Sequence, residues 1–272
     1  MYTTLHKYFG YKEFRTLQED IINDVLDQKD TFVVMPTGGG KSLCYQLPAL
    51  LMDGVTIVVS PLISLMKDQV DSLKGIGIPA TFINSSIDYM ELKERLNRTE
   101  AGEYRLLYVA PERLDSPQFC QLLQSLKIDL FAIDEAHCVS QWGHDFRPSY
   151  LNVPAVIANL SERPTVAAFT ATATPVVRDD IIKLLRFHNP GVFTAGFDRE
   201  NLEFSLVKGS NKDDFVLNYV KDNENEAGII YAATRKEVNR IYKLLSDLDY
   251  EVARYHAGLK EDERTSAQED FI

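Results

Sequence analysis

Thr31-Phe32-Val33-Val34-Met35-Pro36-Thr37-Gly38-Gly39-Gly40-Lys41-Ser42 decides the fold, because it joins an apolar β-branched run to a glycine loop closed by Lys-Ser. Residues 31–35 read as a buried strand and residues 43–52 have helical spacing, so the loop lies where backbone N–H groups converge on an anion. Glycine suits such a loop because it adopts positive φ and lets phosphate oxygens approach the main chain. Thr37, Gly38, Gly39 and Gly40 then cradle the phosphates, Lys41 reaches the β- and γ-phosphates, and the Ser42 hydroxyl ligates Mg²⁺. Met35 stands where the strict G-x-x-x-x-G-K-[ST] pattern has its first glycine, so a flexible glycine turn competes as a reading of this stretch taken alone.

Outward from this loop, short β-branched runs recur at Val55-Thr56-Ile57-Val58-Val59, Leu106-Leu107-Tyr108-Val109, Leu130-Phe131-Ala132-Ile133 and Thr165-Val166-Ala167-Ala168-Phe169. Helix-like segments separate them, which predicts an α/β protein with a mostly parallel sheet covered on both faces. Ligands of such sheets bind beyond the carboxyl ends of the strands, so the loops after these runs converge on one crevice. Asp134-Glu135-Ala136-His137 directly follows the run Leu130 to Ile133. Asp134 is assigned to the metal, Glu135 to the general base that orients an attacking water, and His137 to communication between the γ-phosphate and the rest of the machine. A charged surface turn and a packing histidine are the plainer alternatives. The rhythm restarts at Glu203-Phe204-Ser205-Leu206-Val207, Gly228-Ile229-Ile230-Tyr231 and Val252-Ala253-Arg254-Tyr255, which predicts strands of a second domain after a linker at 197–201.

Composition limits the function classes. The 272 residues are 45% hydrophobic and 25% charged, enough for one large or two smaller domains. No apolar run approaches the ~18 residues of a membrane span. Met1-Tyr2-Thr3-Thr4-Leu5-His6-Lys7 lacks the build of a signal peptide, so the expected location is cytoplasmic, nucleoid-associated in a bacterium. The net charge of −11 argues against blanket nucleic-acid affinity while leaving room for a local basic groove. Cys44, Cys120 and Cys138 are spaced unlike metal ligands, which predicts reduced thiols and no zinc.

The segments between and beyond these two sites match one family in order. They are Phe9-Gly10-Tyr11, Phe14-Arg15 and Gln18; residues 35–47; Ser60-Pro61-Leu62-Ile63-Ser64-Leu65-Met66-Lys67-Asp68-Gln69-Val70; Ala110-Pro111-Glu112-Arg113-Leu114; residues 134–137; Cys138-Val139-Ser140-Gln141-Trp142-Gly143-His144-Asp145-Phe146-Arg147-Pro148; Thr170-Ala171-Thr172-Ala173-Thr174; and Tyr255-His256-Ala257-Gly258-Leu259. On these residues the chain resembles the amino-terminal part of a RecQ-type DNA helicase, within the DEAD/DEAH group of superfamily-two motors. The segment after the Asp-Glu-Ala-His box is the most specific, since it separates RecQ-like helicases from RNA-handling relatives. The resemblance implies a RecA-like ATP-binding domain at residues 1–200 and the start of an incomplete second RecA-like domain at 201–272. It further implies 3′ to 5′ unwinding of single-stranded and forked DNA in recombination and repair, driven by ATP and Mg²⁺, away from membranes and with no protein partner named.

By the same resemblance Gln18 reads adenine, for which a side-chain amide presenting donor and acceptor is suited. Tyr11 and Arg15 stack on and support the base, and Leu17 stands where many relatives carry glycine. Trp142, His144 and Arg147 couple DNA binding to ATP hydrolysis; without the resemblance a Trp beside Gly143 reads as a core anchor. Ser60, Lys67, Ser85, Arg113 and Thr172 belong to loops that grip the DNA backbone or link the domains. Thr170 and Thr172 couple hydrolysis to unwinding, while Thr174-Pro175 also reads as an N-cap and first turn. The arginines that complete the family's ATP site are expected beyond Phe271. Residues 1–272 are therefore expected to bind ATP–Mg²⁺ and DNA yet hydrolyse slowly, an arginine finger being worth ~10³–10⁵ in rate. A non-catalytic nucleotide- or DNA-binding fragment and an RNA-dependent ATPase of the same fold are the alternatives.

Overall fold

The computed structural model describes residues 1–271 apart from 85–86, 144 and 197–200. Contacts divide the chain into two compact units, Met1–Asp198 and Arg199–Ile272. The linker read at 197–201 falls, at 197–200, outside the described residues. No helix among the described residues is long and apolar enough to cross a membrane.

The first unit opens with α1 (Tyr2–Thr4), a π-helical turn (Leu5–Phe9) and α2 (Gln18–Leu26). Strands and helices then alternate: β1 (Thr31–Val34), α3 (Leu43–Leu51), β2 (Val55–Val59), α4 (Ile63–Gly75), β3 (Ala80–Ile83), α5 (Tyr89–Glu100) and β4 (Leu106–Val109). After them come α6 (Pro117–Leu123), β5 (Ile128–Ile133), α7 (Val153–Ala158), β6 (Thr165–Thr170), α8 (Pro175–Leu184) and β7 (Gly191–Thr194). All seven strands pair in parallel, in the order β3-β4-β2-β5-β6-β1-β7.

Helices cover both faces, so β1, β2, β4 and β6 are buried at every position and read as apolar runs rather than alternating ones. Successive side chains enter opposite cores. Phe32, Val34, Ile57, Val59, Phe131 and Ile133 fill one, while Val33, Met35, Val58, Leu130 and Ala132 fill the other. The sequence pattern does not reveal β3 and β7, the two edge strands. Four residues at an edge carry little signal, and β7 opens on Gly191 behind Pro190, which reads as a turn. Gly191 is needed there because a Cβ would collide with the Asp24 carboxylate.

A buried acid joins three strand ends. Asp30, before β1, accepts from Arg163 Nη1 (3.0 Å) and Nη2 (2.5 Å), from Val166 N at the start of β6 (3.0 Å), and from His188 N on the approach to β7 (2.7 Å).

The second unit contains α9 (Lys212–Asp222), α10 (Arg235–Ser246) and α11 (Glu261–Glu269). Asn211 and Thr234 cap the first two by accepting from Asp213 N and Glu237 N. The strands expected at 203–207, 228–231 and 252–255 do not form: these runs have no ladder partner among the described residues. Phe204 and Tyr231 stay 92% and 90% exposed, and Leu245 is the single buried hydrophobic residue described in this unit. An extended run becomes a strand only when a neighbour takes its N–H and C=O groups.

Candidate nucleotide-binding site

The strand order sets the site. β6 lies between β5 and β1, so the glycine loop after β1 and the Asp-Glu-Ala-His turn after β5 flank the end of β6 at Thr170. Each glycine of the loop is required for its own reason. Gly38 and Gly40 have φ of 78° and 84°, in the left-handed region. A Cβ on Gly39 would lie 2.9 Å from Pro36 O. Lys41 Nζ donates to Met35 O (3.0 Å) and Pro36 O (3.4 Å), and Ser42 is the N-cap of α3.

The turn before α2 is bonded to this loop. Gln18 Oε1 accepts from Arg15 N (2.9 Å), Gln18 Nε2 donates to Gly40 O (3.1 Å), and Arg15 Nη1 donates to Gly38 O (2.7 Å). The amide oxygen and nitrogen each keep capacity for one more hydrogen bond, which is what an adenine edge would use. Tyr11, Arg15, Gln18, Leu43 and Gln46 line a cleft beside the loop. Phe14 instead packs edge-on against Tyr2, with ring centroids 5.0 Å apart. Leu17, the N-cap of α2, has φ 67°, in the left-handed region that favours glycine.

At the end of β5, Asp134 is buried and its N–H donates to Val59 O (2.8 Å). Burial and the adjacent Glu135 carboxylate push its carboxyl up to about 6, against the opposing pull of its bond from Glu135 N–H and the charges of Lys41 and His137. A divalent cation relieves that stress, so the donor set fits Mg²⁺. No cluster of three His, Cys, Asp or Glu forms a metal cage among the described residues. Ser42 and Asp134 suit a Mg²⁺ that takes its other ligands from phosphate and water. Glu135 adopts φ 47°, a strained conformation that persists mainly at functional turns. Its Oε2 is 3.2 Å from His137 Nδ1, which lies 3.1 Å from Thr170 Oγ1. The Thr170 hydroxyl donates to Thr172 O (3.1 Å), so His137 meets both acceptors through an Nδ1–H.

The following loop is seated on this turn. Gly143 N donates to Ser140 O (3.0 Å), and a Cβ on Gly143 would collide with His137 O. Arg147 N donates to Cys138 O (2.9 Å), while its Nη1 donates to Pro61 O (2.9 Å) and its Nε and Nη2 to Asp145 Oδ2 (both 3.2 Å). Trp142 is 75% exposed, which removes the core-anchor reading.

The sequence matches the DEAD/DEAH box helicase family over residues 15–180. The chain belongs to that family. It is 52% identical over 98% of its length to the ATP-dependent DNA helicase RecQ of Bacillus subtilis (strain 168), and 43% identical over 99% to that of Haemophilus influenzae. It spans 46% and 43% of those relatives, less than half of each. Mycobacterium smegmatis helicase Lhr, solved bound to ssDNA and AMP-PNP, matches with a TM-score of 0.69 at 17% identity, covering 98% of this chain and 39% of that one. At that identity the likeness shows the RecA-like helicase fold alone.

Among the residues assigned to DNA by this helicase resemblance, Lys67 and Thr172 are exposed and Arg147 is half-buried. Ser60 is 1% exposed, and its N–H continues the β2 ladder to Val109 O (3.1 Å). Arg113 donates through Nε and Nη2 to the Asn84 carbonyl and through Nη2 to the Ile87 carbonyl. Ser85 and His144 lie outside the described residues. Thr174 caps α8, its Oγ1 accepting from Val177 N (3.3 Å). Sequence reasoning missed Tyr150, whose buried hydroxyl donates to Asp134 O (3.1 Å), and Asp180. No spacing rule points to either.

Proposed function

We propose that this chain is the nucleotide-binding end of a RecQ-type ATP-dependent DNA helicase acting 3′ to 5′ on single-stranded and forked DNA in recombination and repair. In this reading residues 1–200 are the ATP-binding RecA-like domain and residues from 201 begin the second. The observation that carries it is the exposed Trp142 on a loop whose backbone rests on His137, which in turn meets Thr170. An exposed indole stacks on an unpaired base with ~1–3 kcal/mol, and its loop has no slack against the turn that bears Glu135.

When bound, ATP with Mg²⁺ supplies the phosphoryl group to be transferred and the charge that Asp134 and Ser42 are placed to hold. Tyr11, Arg15 and Gln18 take the base. Residues 37–40 offer backbone N–H groups to the phosphates, and Lys41 exchanges its carbonyl partners for phosphate oxygens. Glu135 accepts a proton from the attacking water, and the Nδ1–H of His137 holds that carboxylate in line with Thr170. Lys67, Arg147 and Thr172 neutralise or bond the strand's phosphates without reading sequence. Fast turnover draws as well on the arginines that the resemblance places in the second RecA-like domain.

Titration with a fluorescent ATP analogue tests the site: Lys41→Ala should abolish binding, and retained binding would overturn the assignment. ATP turnover with single-stranded DNA is then compared with turnover in RNA. Equal stimulation by RNA favours an RNA-dependent ATPase, and nucleotide binding with no turnover at all favours a non-catalytic fragment.

A further inference from the structure

We propose that Asp180 is a positioning residue that sets Trp142 relative to the ATP site by pinning the base of its loop to α8. The inference rests on the coupling role proposed above for that loop. Asp180 Oδ2 accepts a 2.6 Å hydrogen bond from Ser140 Oγ. Ser140 is fully buried, and the same hydroxyl oxygen accepts from Trp142 N at 3.2 Å. One hydroxyl thus commits its proton to a carboxylate and a lone pair to the tryptophan's backbone, and hydrogen bonds in such a chain strengthen one another. The neighbouring Arg178 pairs with Asp179 at 2.8 Å, so Ser140 rather than that arginine is the partner of Asp180.

A second joint makes the pin informative. His137 Nδ1 lies 3.1 Å from Thr170 Oγ1. His137 and Ser140 belong to one short segment, while Thr170 and Asp180 belong to another that runs from β6 through the Thr174 cap into α8. Two segments joined at two points form a closed ring. Displacement of His137 or Thr170 is then passed to Trp142 as a shift of the loop's base instead of being absorbed in the loop. Gly143 lies too close to His137 O to accept a Cβ, so the loop is seated directly on the turn.

Trp142 is the single tryptophan, so its emission reports this loop alone. The experiment uses the 272-residue chain, an oligo-dT strand, AMP-PNP–Mg²⁺ and acrylamide as quencher. Asp180→Ala should raise the acrylamide quenching constant of Trp142 by about a third, the most that an indole already 75% exposed has left to gain, and weaken oligo-dT binding about fivefold. It should also erase any change in Trp142 emission caused by AMP-PNP–Mg²⁺, while affinity for a fluorescent ATP analogue stays within about twofold. Ser140→Ala should reproduce these effects, and the double variant should be no worse than either single one. Asp180→Asn keeps an acceptor for the Ser140 hydroxyl and should restore most of the wild-type behaviour.

Wild-type quenching and oligo-dT affinity in Asp180→Ala would overturn the proposal. So would an Asp180→Asn variant as defective as Asp180→Ala, or a parallel loss of nucleotide affinity and melting temperature, since each marks a general role in folding. If Trp142 in the wild-type chain ignores oligo-dT, the coupling role fails. The quenching constant of the free protein still decides whether Asp180 holds the loop.

Discussion

The two units share a sequence rhythm and differ in what became of it. In the first, every β-branched run has a neighbour, and β1, β2, β4 and β6 are wholly buried between two helical layers. In the second, runs of similar composition at 203–207, 228–231 and 252–255 carry no ladder among the described residues, yet α9, α10 and α11 form. A helix satisfies its backbone within itself, whereas a strand needs a second segment at 4.7–4.9 Å, about one sheet spacing away. Composition therefore signals a strand's readiness, and the partner decides its existence.

That contrast can be attacked by substitution. Trp142 lies in the first unit, so its fluorescence follows that unit alone, while far-ultraviolet circular dichroism follows both. The largest effect is expected from Asp30→Ala, which strands Arg163 and the N–H groups of Val166 and His188 at three strand ends. Urea unfolding read by Trp142 should lose about 3 kcal/mol or more. A loss under about 1 kcal/mol would mean that β1, β6 and β7 hold together without this joint.

Next comes Gly143→Ala, whose methyl group meets His137 O; overpacking of this kind typically costs about 1–3 kcal/mol. An unchanged urea midpoint by circular dichroism would show that the loop yields freely on the turn. Leu17→Val places a β-branched residue at φ 67° and should cost about 1 kcal/mol in the same assay. Leu17→Gly should stay within about 0.5 kcal/mol of the wild type, since relief of left-handed strain offsets the lost side-chain packing. Smallest of all is Arg240→Ala in the second unit. Its partners Asp213 and Glu237 are solvent-exposed, so neither probe should register a change in stability, and a clear loss would reveal a better-built second unit than its burial suggests.

Much of the first unit is legible in its residues. The five interior strand runs, the glycine loop and the Asp-Glu-Ala-His turn stand where hydrophobic runs end in special residues. The edge strands β3 and β7 are not legible, because four residues with one neighbour each need little apolar content. Trp142 beside Gly143 has the composition of a core anchor, and only the fold shows the indole outside and the glycine against His137 O. Ser60 is the reverse case: the resemblance sets it in a loop at the DNA, while only the fold shows the residue 1% exposed. Leu17 sits between these cases, since its left-handed φ favours the glycine that the family resemblance implies although leucine itself gives no hint of it.

What the sequence by itself determined is the chemistry held within a few bonds of one position. Gly38, Gly39 and Gly40 are dictated by their own φ angles and by the nearby Pro36 carbonyl, and Lys41 and Ser42 follow by covalent connection. Only the tertiary structure decided which of these local pieces touch. His137 meets Thr170 across 33 residues, Ser140 meets Asp180 across 40, and Arg147 meets Pro61 across 86. Hydrogen bonds between distant segments leave no periodicity in a chain, because their partners are chosen by the order of strands in the sheet rather than by spacing along the backbone.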